Sequence, residues 1–352
     1  MKRNNSSRKS SDKSPFNLSR NTRGRIVAIG GGTGLSTVLR GLKEFAPQHG
    51  QTDALHPIED IAAVVTVMDD GGSSGRLRRE YRILPPGDIR NCLVALSDDE
   101  ALLSRLFQYR FAAGRGLRGH SFGNLFLAAL ANITGDFAEA VRMSGQVLAI
   151  RGRIYPSTLQ NVTLEATMQD GRVVAGETRI PRARGRIREL RLRPRRVRPL
   201  AEAMDAIQHA SVILVGPGSL YTSLIPNLLV SGVAGEIARS KAARVYISNL
   251  MTQPGETDEM STADHVRAIY QHTGRKLFDW VVINQQKISP RVARRYHAEG
   301  AEPVLNDTRE LSRLGLRCIS AELLEERGVI RHNSARLARL LVNTFLTRAA
   351  GH

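Results

Sequence analysis

The chain has 352 residues, of which 41% are hydrophobic and only 5% aromatic, so it can bury one large core or a core with a modest second subdomain. No apolar run approaches the ~20 residues that a membrane span requires, and the N-terminus lacks the apolar stretch of a signal peptide. Cys92 and Cys318 lie far apart and without metal-ligand spacing. We therefore expect a cytoplasmic protein with no disulfide framework.

The formal net charge of +18 comes mainly from two short segments. Residues 1–25 carry eight Lys and Arg against one Asp, or +7, and residues 182–198 carry nine Arg against one Glu, or +8. These segments hold 15 of the 18 charges, which leaves the rest of the chain close to balance. Such a balance is typical of a protein that binds small molecules and argues against a nucleic-acid partner.

The first of these segments overlaps a predicted tail. Residues 1–22 contain too few apolar groups to offset the entropy of ordering, so we expect a disordered basic tail there and a single domain over residues 23–348. In the second segment, Arg184, Arg186 and Arg188 have the spacing of one face of a strand. A solvated face is the favoured explanation, and an RNA or membrane-surface patch is the alternative.

From Arg25 onward, short β-branched runs alternate with longer helical patterns. Continuous apolar strands followed by helices indicate an α/β fold with a mostly parallel sheet that is covered on both faces. In such a sheet, ligands bind beyond the carboxyl ends of the strands. The predicted strands are Ile26–Ile29, Ile61–Met68, Val212–Val215, Val245–Ser248 and Trp280–Asn284.

Residues 100–195 depart from this alternation, and we expect them to form a helical and β-hairpin insertion. Helical patterns run over Asn124–Ile133 and Phe137–Ile150. The following segment has the alternation of β-strands, interrupted at Asp170-Gly171, which is a signal for a two-residue hairpin loop.

The loop after the first predicted strand reads Gly-Gly-Gly-Thr-Gly over residues 30–34. Glycine lets backbone amides approach a phosphate closely, a helix N-terminus adds positive partial charge, and Thr33 can donate a hydroxyl. Leu35 stands where the dinucleotide fingerprint requires glycine, and the Lys-Ser/Thr of a P-loop is absent. The loop predicts a phosphate site, and a tight turn without a ligand stays the alternative.

The second strand is followed by Asp69-Asp70 and a Gly-Ser run over residues 71–75. Paired carboxylates can hold a hydroxyl or Mg²⁺, and the Gly-Ser run can bind a phosphate, although one aspartate could instead cap a turn. Asp88 is placed to N-cap the next helix. His120 lies at another helix start, and a lone His with no nucleophile near it in sequence is more often structural than catalytic.

Two more polar, glycine-bearing loops end predicted strands. Gly-Pro-Gly-Ser-Leu-Tyr-Thr-Ser covers residues 216–223, and Asn-Leu-Met-Thr-Gln-Pro-Gly-Glu-Thr covers residues 249–257. The carboxyl ends of parallel strands lie at one edge of a sheet, so these loops should converge on one crevice. Their coincidence is stronger support for a ligand site than any loop taken alone.

These motifs, together with Pro-Gly-Asp-Ile-Arg-Asn and Gly-His-Ser-Phe-Gly-Asn-Leu, closely resemble those of the YvcK-type gluconeogenesis factors, relatives of the CofD 2-phospho-L-lactate transferases. The likeness runs from about Arg25 to the C-terminal helical pattern. It implies a Rossmann-like fold and binding of a UDP-sugar, UDP-N-acetylglucosamine in particular. It also implies a regulatory role in cell shape and peptidoglycan supply on gluconeogenic carbon sources, with cell-wall or morphogenesis proteins as candidate partners.

The resemblance also implies a set of ligand-binding residues. Arg331 matches an Arg-His-Asp element of the family, from which Asn333 departs. The implied ligand-binding positions are Gly31, Gly32, Thr33, Gly34, Asp69, Ser73, Asn91, Asn124, Gly218, Ser219, Asn249 and Arg331.

Two alternatives to a regulatory nucleotide-sugar-binding protein stay open. The first is an Mg²⁺-dependent phospho-group transferase, with Asp69 and Asp70 as catalytic candidates and Asp69 as the metal ligand; binding alone requires no cofactor. The second is an NAD(P)-binding protein, although the two aspartates lie well beyond the ~20 residues expected between its glycine loop and its ribose-binding acid. Exposed helix faces leave homo-oligomer formation open.

Overall fold

The computed structural model describes residues 23–48, 56–98 and 101–347, so the tail predicted at residues 1–22 lies outside the described residues. The strands are β1 Gly24–Gly30, β2 Ile58–Val65, β3 Arg153–Pro156, β4 Thr163–Met168, β5 Val173–Ala175, β6 Ile187–Arg193, β7 Val212–Val215, β8 Ala243–Ile247, β9 Trp280–Asn284, β10 Arg317–Ala321, β11 Leu324–Arg327 and β12 Val329–His332. The helices are α1 Gly32–Leu42, α2 Gly72–Tyr81, α3 Gly87–Leu96, α4 Ala101–Gln108, α5 Phe122–Thr134, α6 Phe137–Val147, α7 Arg179–Arg182, α8 Ala201–Gln208, α9 Ile225–Leu229, α10 Val233–Arg239, α11 Thr262–Thr273, α12 Pro290–Ala298, α13 Thr308–Arg313 and α14 Ser334–Phe345.

Seven strands form one parallel sheet in the order β10-β9-β8-β7-β1-β2-β3. The chain proceeds outward from β1 to β3, then returns to the other side of β1 at β7 and continues outward to β10. The strand order therefore reverses between β1 and β7, which is where ligands bind in folds of this kind. We call the edge formed by the loops that follow β1, β2, β7 and β8 the crevice. This architecture confirms the predicted Rossmann-like α/β fold.

The alternation of side chains along the central strands produces two cores. Val27 and Ile29 of β1 point into a core that the helices α8 to α11 cover, and Ile26 and Ala28 point into a core on the opposite face. Helices α1, α3, α5, α6 and α14 cover that second face. All four β1 side chains are at most 1% exposed, because a parallel strand in the centre of the sheet is buried on both sides.

The insertion contains a three-stranded antiparallel sheet in the order β5-β4-β6, and β4 and β5 form the predicted hairpin around Asp170-Gly171. Its apolar face packs into the same core as α8 to α11. Two details differ from the sequence-based expectation. β3 lies within residues 100–195 but joins the main sheet beside β2. β6 begins only at Ile187, because Arg184 at φ 47° and Gly185 at φ 115° form a turn, so Arg184 and Arg186 precede the strand.

A two-stranded hairpin, β11 with β12, follows the main sheet. It contacts α12, where the Tyr296 hydroxyl accepts a hydrogen bond of 2.9 Å from the Ile330 N–H. Strand β12 also packs beside α1. Among the described residues, none of the helices has the length and apolar character needed to cross a membrane.

Candidate functional site

The two predicted phosphate loops are in backbone contact at the point where the strand order reverses. Gly34, in the first turn of α1, lies so close to the β7 loop that a Cβ atom there would be 2.2 Å from the Pro217 carbonyl oxygen. Gly32 has φ 63°, a conformation that favours glycine. Gly31, the N-cap of α1, makes no side-chain cap, which leaves the first-turn amides of α1 to other partners. The exposed Thr33 side chain borders them.

The β7 loop is fixed from the next strand by Asn249. Its side-chain amide donates to the Gly218 carbonyl over 2.8 Å, and its oxygen accepts from the Gly218 N–H over 3.0 Å. Ser219, the next residue, accepts a hydrogen bond of 2.8 Å from the Gln253 side chain. The structure thus brings together the loops after β1, β7 and β8, and the predicted site residues Gly218, Ser219 and Asn249 contact one another or share these loops.

The loop after β2 is held by the insertion. The Asp70 carboxylate accepts from both the Thr178 N–H, at 2.9 Å, and the Thr178 hydroxyl, at 2.8 Å. Asp69 accepts from the Gly71 N–H over 2.8 Å, so one aspartate does cap a turn while the other anchors a distant segment. On the far side of the crevice, Gly255 lies against α7, where a Cβ atom would be 2.0 Å from the Pro181 oxygen. Helix α7 therefore bridges the β2 and β8 loops.

This bridge brings Glu177 to a group of carboxyl side chains that we call the acidic cluster: Asp69, Asp70, Asp88, Glu177 and Glu256. Burial, followed by the charges of Asp69 and Asp70, raises the pKa of Glu177 to about 8. Burial raises the pKa of Glu256 to about 7, opposed by hydrogen bonds from Tyr221 and Thr222. The cluster therefore holds protons near neutral pH.

Asp88 has a different role from the predicted one. The N-cap of α3 is Pro86, without a side-chain cap, and Asp88 lies inside the first turn. Its carboxyl group instead accepts from the Gly32 N–H, and a Cβ atom on Gly31 would be 2.6 Å from Asp88 Oδ2. Burial, together with the charge of Asp69, raises the pKa of Asp88 to about 6. The prediction of an N-cap was wrong, because Asp88 contacts the glycine loop.

Two further predicted residues belong to a buried polar network. Ser73 Oγ accepts a hydrogen bond of 3.1 Å from the Asn124 amide and lies 2.9 Å from Nδ1 of His120. Because Asn124 donates to it, Ser73 has its own proton free for a neutral His120. Burial, and then the charge of Arg76, lowers the pKa of His120. Nearby, the Asn91 oxygen accepts from the Arg90 guanidinium over 2.7 Å.

A cavity of about 420 Å³ lies beyond the ends of β8 and β9. We call it the amide pocket, because its polar lining consists of side-chain amides and Lys287, and it contains no Asp or Glu. Asn249 belongs both to this lining and to the clamp on Gly218, so the pocket is continuous with the β7 loop. The lining amides are those of Asn249, Asn284, Gln285, Gln286 and Asn306.

Several buried polar atoms around the crevice have no hydrogen-bond partner within the described residues. Such atoms are costly in a folded protein unless a ligand or water satisfies them. They are Thr66 Oγ1, Arg90 Nε, Asn124 Oδ1, Gln253 Oε1 and Gln286 Oε1.

Mg²⁺ is usually held by one or two carboxylates together with substrate phosphates. Within the described ranges, no group of three or more His, Cys, Asp and Glu side chains is arranged to hold a metal ion. Asp69, the predicted metal ligand, has one carboxylate oxygen occupied by the Gly71 N–H.

Comparison with known proteins decides the family. The family model described as 2-phospho-L-lactate transferase CofD matches residues 26–324. The chain belongs to the CofD family. It is 49% identical over 320 residues to the gluconeogenesis factor of Bacillus subtilis strain 168, covering 91% of this chain and 97% of that protein. It is 47% identical over 318 residues to the gluconeogenesis factor of Halalkalibacterium halodurans, covering 90% of this chain and 95% of that protein.

A solved structure agrees with this assignment. The crystal structure of a protein member of the UPF0052 family from Bacillus halodurans has a TM-score of 0.86 and 46% identity, and covers 92% of this chain and 99% of that one. The predicted resemblance of this chain to the YvcK-type gluconeogenesis factors is therefore confirmed.

Arg331, which the CofD-family resemblance implies as a ligand residue, lies apart from the strand-end loops in sequence. It is exposed on β12, opposite Glu325 in the hairpin register, and β12 packs beside α1. The neighbouring His332 is only 6% exposed, and its Nε2 atom lacks a partner among the described residues. Burial lowers the pKa of His332 to about 4.

Sequence reasoning missed three parts of this site. Glu177 and Glu256 are separated by 79 positions, and each follows a glycine, which gives no signal of a shared site. The pairing of Ser73 with His120 also spans 47 positions. The amide pocket had one signal: Asn284 ends a predicted strand and Gln285-Gln286 directly follows it, as the other site loops follow theirs.

Proposed function

We propose that this protein binds a UDP-sugar, UDP-N-acetylglucosamine in particular, and regulates growth on gluconeogenic carbon sources through cell shape and peptidoglycan synthesis. The observation that carries the binding proposal is the backbone contact of Gly34 with Pro217 where the strand order reverses. Glycine-rich loops and a helix N-terminus at such a point provide a phosphate site. The regulatory part is supported by the relatives named gluconeogenesis factor and by the YvcK-type motifs.

The surroundings of the glycine loops suit the two ends of such a ligand. On one side is the amide pocket, and on the other is the acidic cluster. Carboxyl groups that are partly protonated both accept from and donate to hydroxyl groups, which a sugar presents in number. A nucleotide diphosphate sugar carries a base, a diphosphate and a sugar in that order, which matches the order of the amide pocket, the glycine loops and the acidic cluster.

Isothermal titration calorimetry with UDP-N-acetylglucosamine tests this proposal. We expect a one-to-one complex with the wild-type protein, and an affinity at least about tenfold weaker for Arg331→Ala, because loss of a charged ligand contact costs about 1.5–3 kcal/mol. The matched control is Arg336→Ala, which removes an exposed arginine from the first turns of α14 and should leave the affinity unchanged. Absence of binding by the wild-type protein, or tighter binding of NAD than of UDP-N-acetylglucosamine, would overturn the proposal.

A second candidate function is transfer of a phosphate-containing group from a nucleotide-activated donor. The observation that favours it is the acidic cluster, in which the pKa values of Asp88, Glu256 and Glu177 are raised to about 6, 7 and 8. Groups with such values serve as proton acceptors or donors near neutral pH. Turnover of a nucleotide donor that disappears in Asp69→Asn would support transfer. Unchanged donor after long incubation, with binding intact, would restrict the protein to binding.

A further inference from the structure

We infer that the first turns of α2 and α5 form a second anion subsite, in which the Nε2–H group of His120 donates to a phosphate or carboxylate group. The occupant is a small anionic ligand other than the nucleotide sugar, so the inference goes beyond the proposed function and does not depend on it. Three positively charged side chains surround His120, and we call them the arginine group: Arg76, Arg90 and Arg110.

A chain of hydrogen bonds orients His120. Its Nδ1 atom lies 2.9 Å from Ser73 Oγ, which accepts from the Asn124 side-chain amide over 3.1 Å. Because Asn124 supplies a donor to Ser73, the Ser73 hydroxyl donates to Nδ1, and the ring proton of neutral His120 is then on Nε2. All three side chains belong to buried residues, with exposures of 5% or less. The chain therefore presents a fixed N–H donor.

The Nε2 atom of His120 is open to a ligand. The Nε2 atoms of His265 and His332 are enclosed by protein and lack a partner. That of His120 is not enclosed, although the residue is only 3% exposed, and no hydrogen bond joins it to any described residue. A buried imidazole with an accessible, unpartnered donor has the form of a ligand contact, because few and well-placed polar groups orient small ligands.

The arginine group favours an anion as the ligand. Within the described residues none of its three guanidinium groups is paired with a carboxylate, and each donates to a neutral oxygen instead. Arg76 and Arg90 are half-buried, and positive charges that are partly removed from water favour a counter-ion. The acceptors are the Arg118 carbonyl at 2.8 Å from Arg76, the Gly119 carbonyl at 2.6 Å from Arg110 and the Ser121 hydroxyl at 2.5 Å from Arg90.

The first turn of α2 completes the subsite. Its N-cap, Gly71, makes no side-chain cap, and Gly72 is exposed, with no atom within 4 Å of where a Cβ atom would lie. A helix N-terminus adds positive partial charge. One N–H donor, one helix end and three guanidinium groups suit a single oxyanion, which is the chemistry that phosphate and carboxylate groups share.

The charges near His120 separate this subsite from the acidic cluster. Burial and the charges of Arg76 and Arg110 lower the pKa of His120, opposed by Glu80. The cluster residues Asp88 and Asp69 act on Arg90 instead. Arg90 thus lies between the acidic cluster and His120. A nucleotide sugar that extends from the amide pocket to the acidic cluster would leave the subsite free for a second ligand.

NMR of protein labelled with ¹⁵N-histidine tests the inference at His120 itself, and His120→Gln assigns its signals by their loss. At about pH 7.5 we expect the neutral tautomer with its proton on Nε2. Titration with inorganic phosphate or with acetate should shift the Nε2 resonance, and the anion that binds more tightly identifies the group that the subsite prefers. With saturating UDP-N-acetylglucosamine the affinity for that anion should change by less than about threefold, since the two sites are separate.

Arg110→Ala should weaken binding of the anion at His120 by about tenfold or more, because a charge-assisted hydrogen bond is lost. The matched control is Arg115→Ala, which removes an exposed arginine from the same loop and should leave the affinity unchanged. Ser73→Ala should release the tautomer, so that both ring nitrogens carry the proton in part.

Three results would overturn the subsite: no shift at His120 with either anion, a proton on Nδ1 in the wild-type protein, or equal affinity losses in the two arginine variants. Displacement of the anion from His120 by UDP-N-acetylglucosamine would assign His120 to the nucleotide-sugar site, which also overturns the second subsite but leaves the proposed function intact. Failure of UDP-N-acetylglucosamine to bind, with the anion response preserved, would overturn the proposed function alone.

Discussion

The glycine loop and the acidic cluster lie side by side in the crevice, but the first is built from backbone and the second from side chains. The contact between Gly34 and Pro217 depends on the absence of a Cβ atom, so its geometry is fixed by the sheet and by α1. The acidic cluster depends on carboxyl groups from three separate loops and the first turn of α3, and the clamp between Asp70 and Thr178 brings one of these loops into place. Ligand affinity should therefore be sensitive to added side-chain volume in the first region and to pH in the second.

The largest effect should follow from adding one methyl group to the backbone-built region. In Gly34→Ala the new Cβ atom would lie 2.2 Å from the Pro217 oxygen, so α1 and the β7 loop must separate. A displacement near 1 Å at a binding site can cost about 100-fold in function, and we expect a loss of that order in affinity for UDP-N-acetylglucosamine. Calorimetry measures the affinity, and thermal unfolding the stability.

Gly41→Ala is the matched control for this variant. It creates a clash of the same kind on the same helix, 2.1 Å from the Ser334 oxygen of α14. We expect a comparable drop in melting temperature with little change in affinity. Equal affinity losses in the two variants would mean that the contact at Gly34 serves the fold and not the ligand.

A smaller effect should come from pH, through the side-chain-built region. Negative phosphates near Asp88, Glu256 and Glu177 would raise the pKa of each carboxyl further, so the protein takes up protons when the ligand binds. The free protein loses these protons as the pH rises through about 6, 7 and 8. Affinity should therefore fall across pH 6 to 8, by at most about tenfold per pH unit for each proton taken up.

The measurement is calorimetry in two buffers of different ionisation enthalpy, which also counts the protons. Asp88→Asn should flatten the lower part of the profile. Affinity that rises with pH in the presence of Mg²⁺ would instead indicate a metal bridging the carboxylates and the diphosphate.

The contrast between the two regions also explains which parts of the fold and of the site could be predicted from the sequence. The central strands, the first phosphate loop and the β7 loop were predictable, because each consists of residues close together in the chain whose periodicity or glycine content carries the signal. The bridge made by α7 was not, because the bond from Thr178 to Asp70 spans 108 positions and neither residue type is specific. The prediction for Asp88 was wrong for a related reason. An aspartate at a helix start is usually an N-cap, and the contact with Gly32 that Asp88 makes instead is long-range.

The smallest effect should be on the stability of the ligand-free protein, which depends on the charge of the acidic cluster. The folded-state pKa of Glu177 is about 8, against an ordinary value of 4.5, so its charged form is disfavoured in the native protein. Stability is therefore lost progressively as the pH rises from about 4.5 through 8, where the unfolded chain is ionised and the folded one becomes so. Glu177→Gln removes this loss. Because Glu177 is partly exposed, solvent screening limits the gain, and we expect a melting temperature about 2–5 °C above wild type at pH 8.5 and no difference at pH 4.5.

Glu322→Gln, at an exposed position outside the cluster, should show no such pH-dependent gain. If Glu177→Gln melts at the wild-type temperature at both pH values, the carboxyl group of Glu177 is solvated and the acidic cluster ends at Glu256.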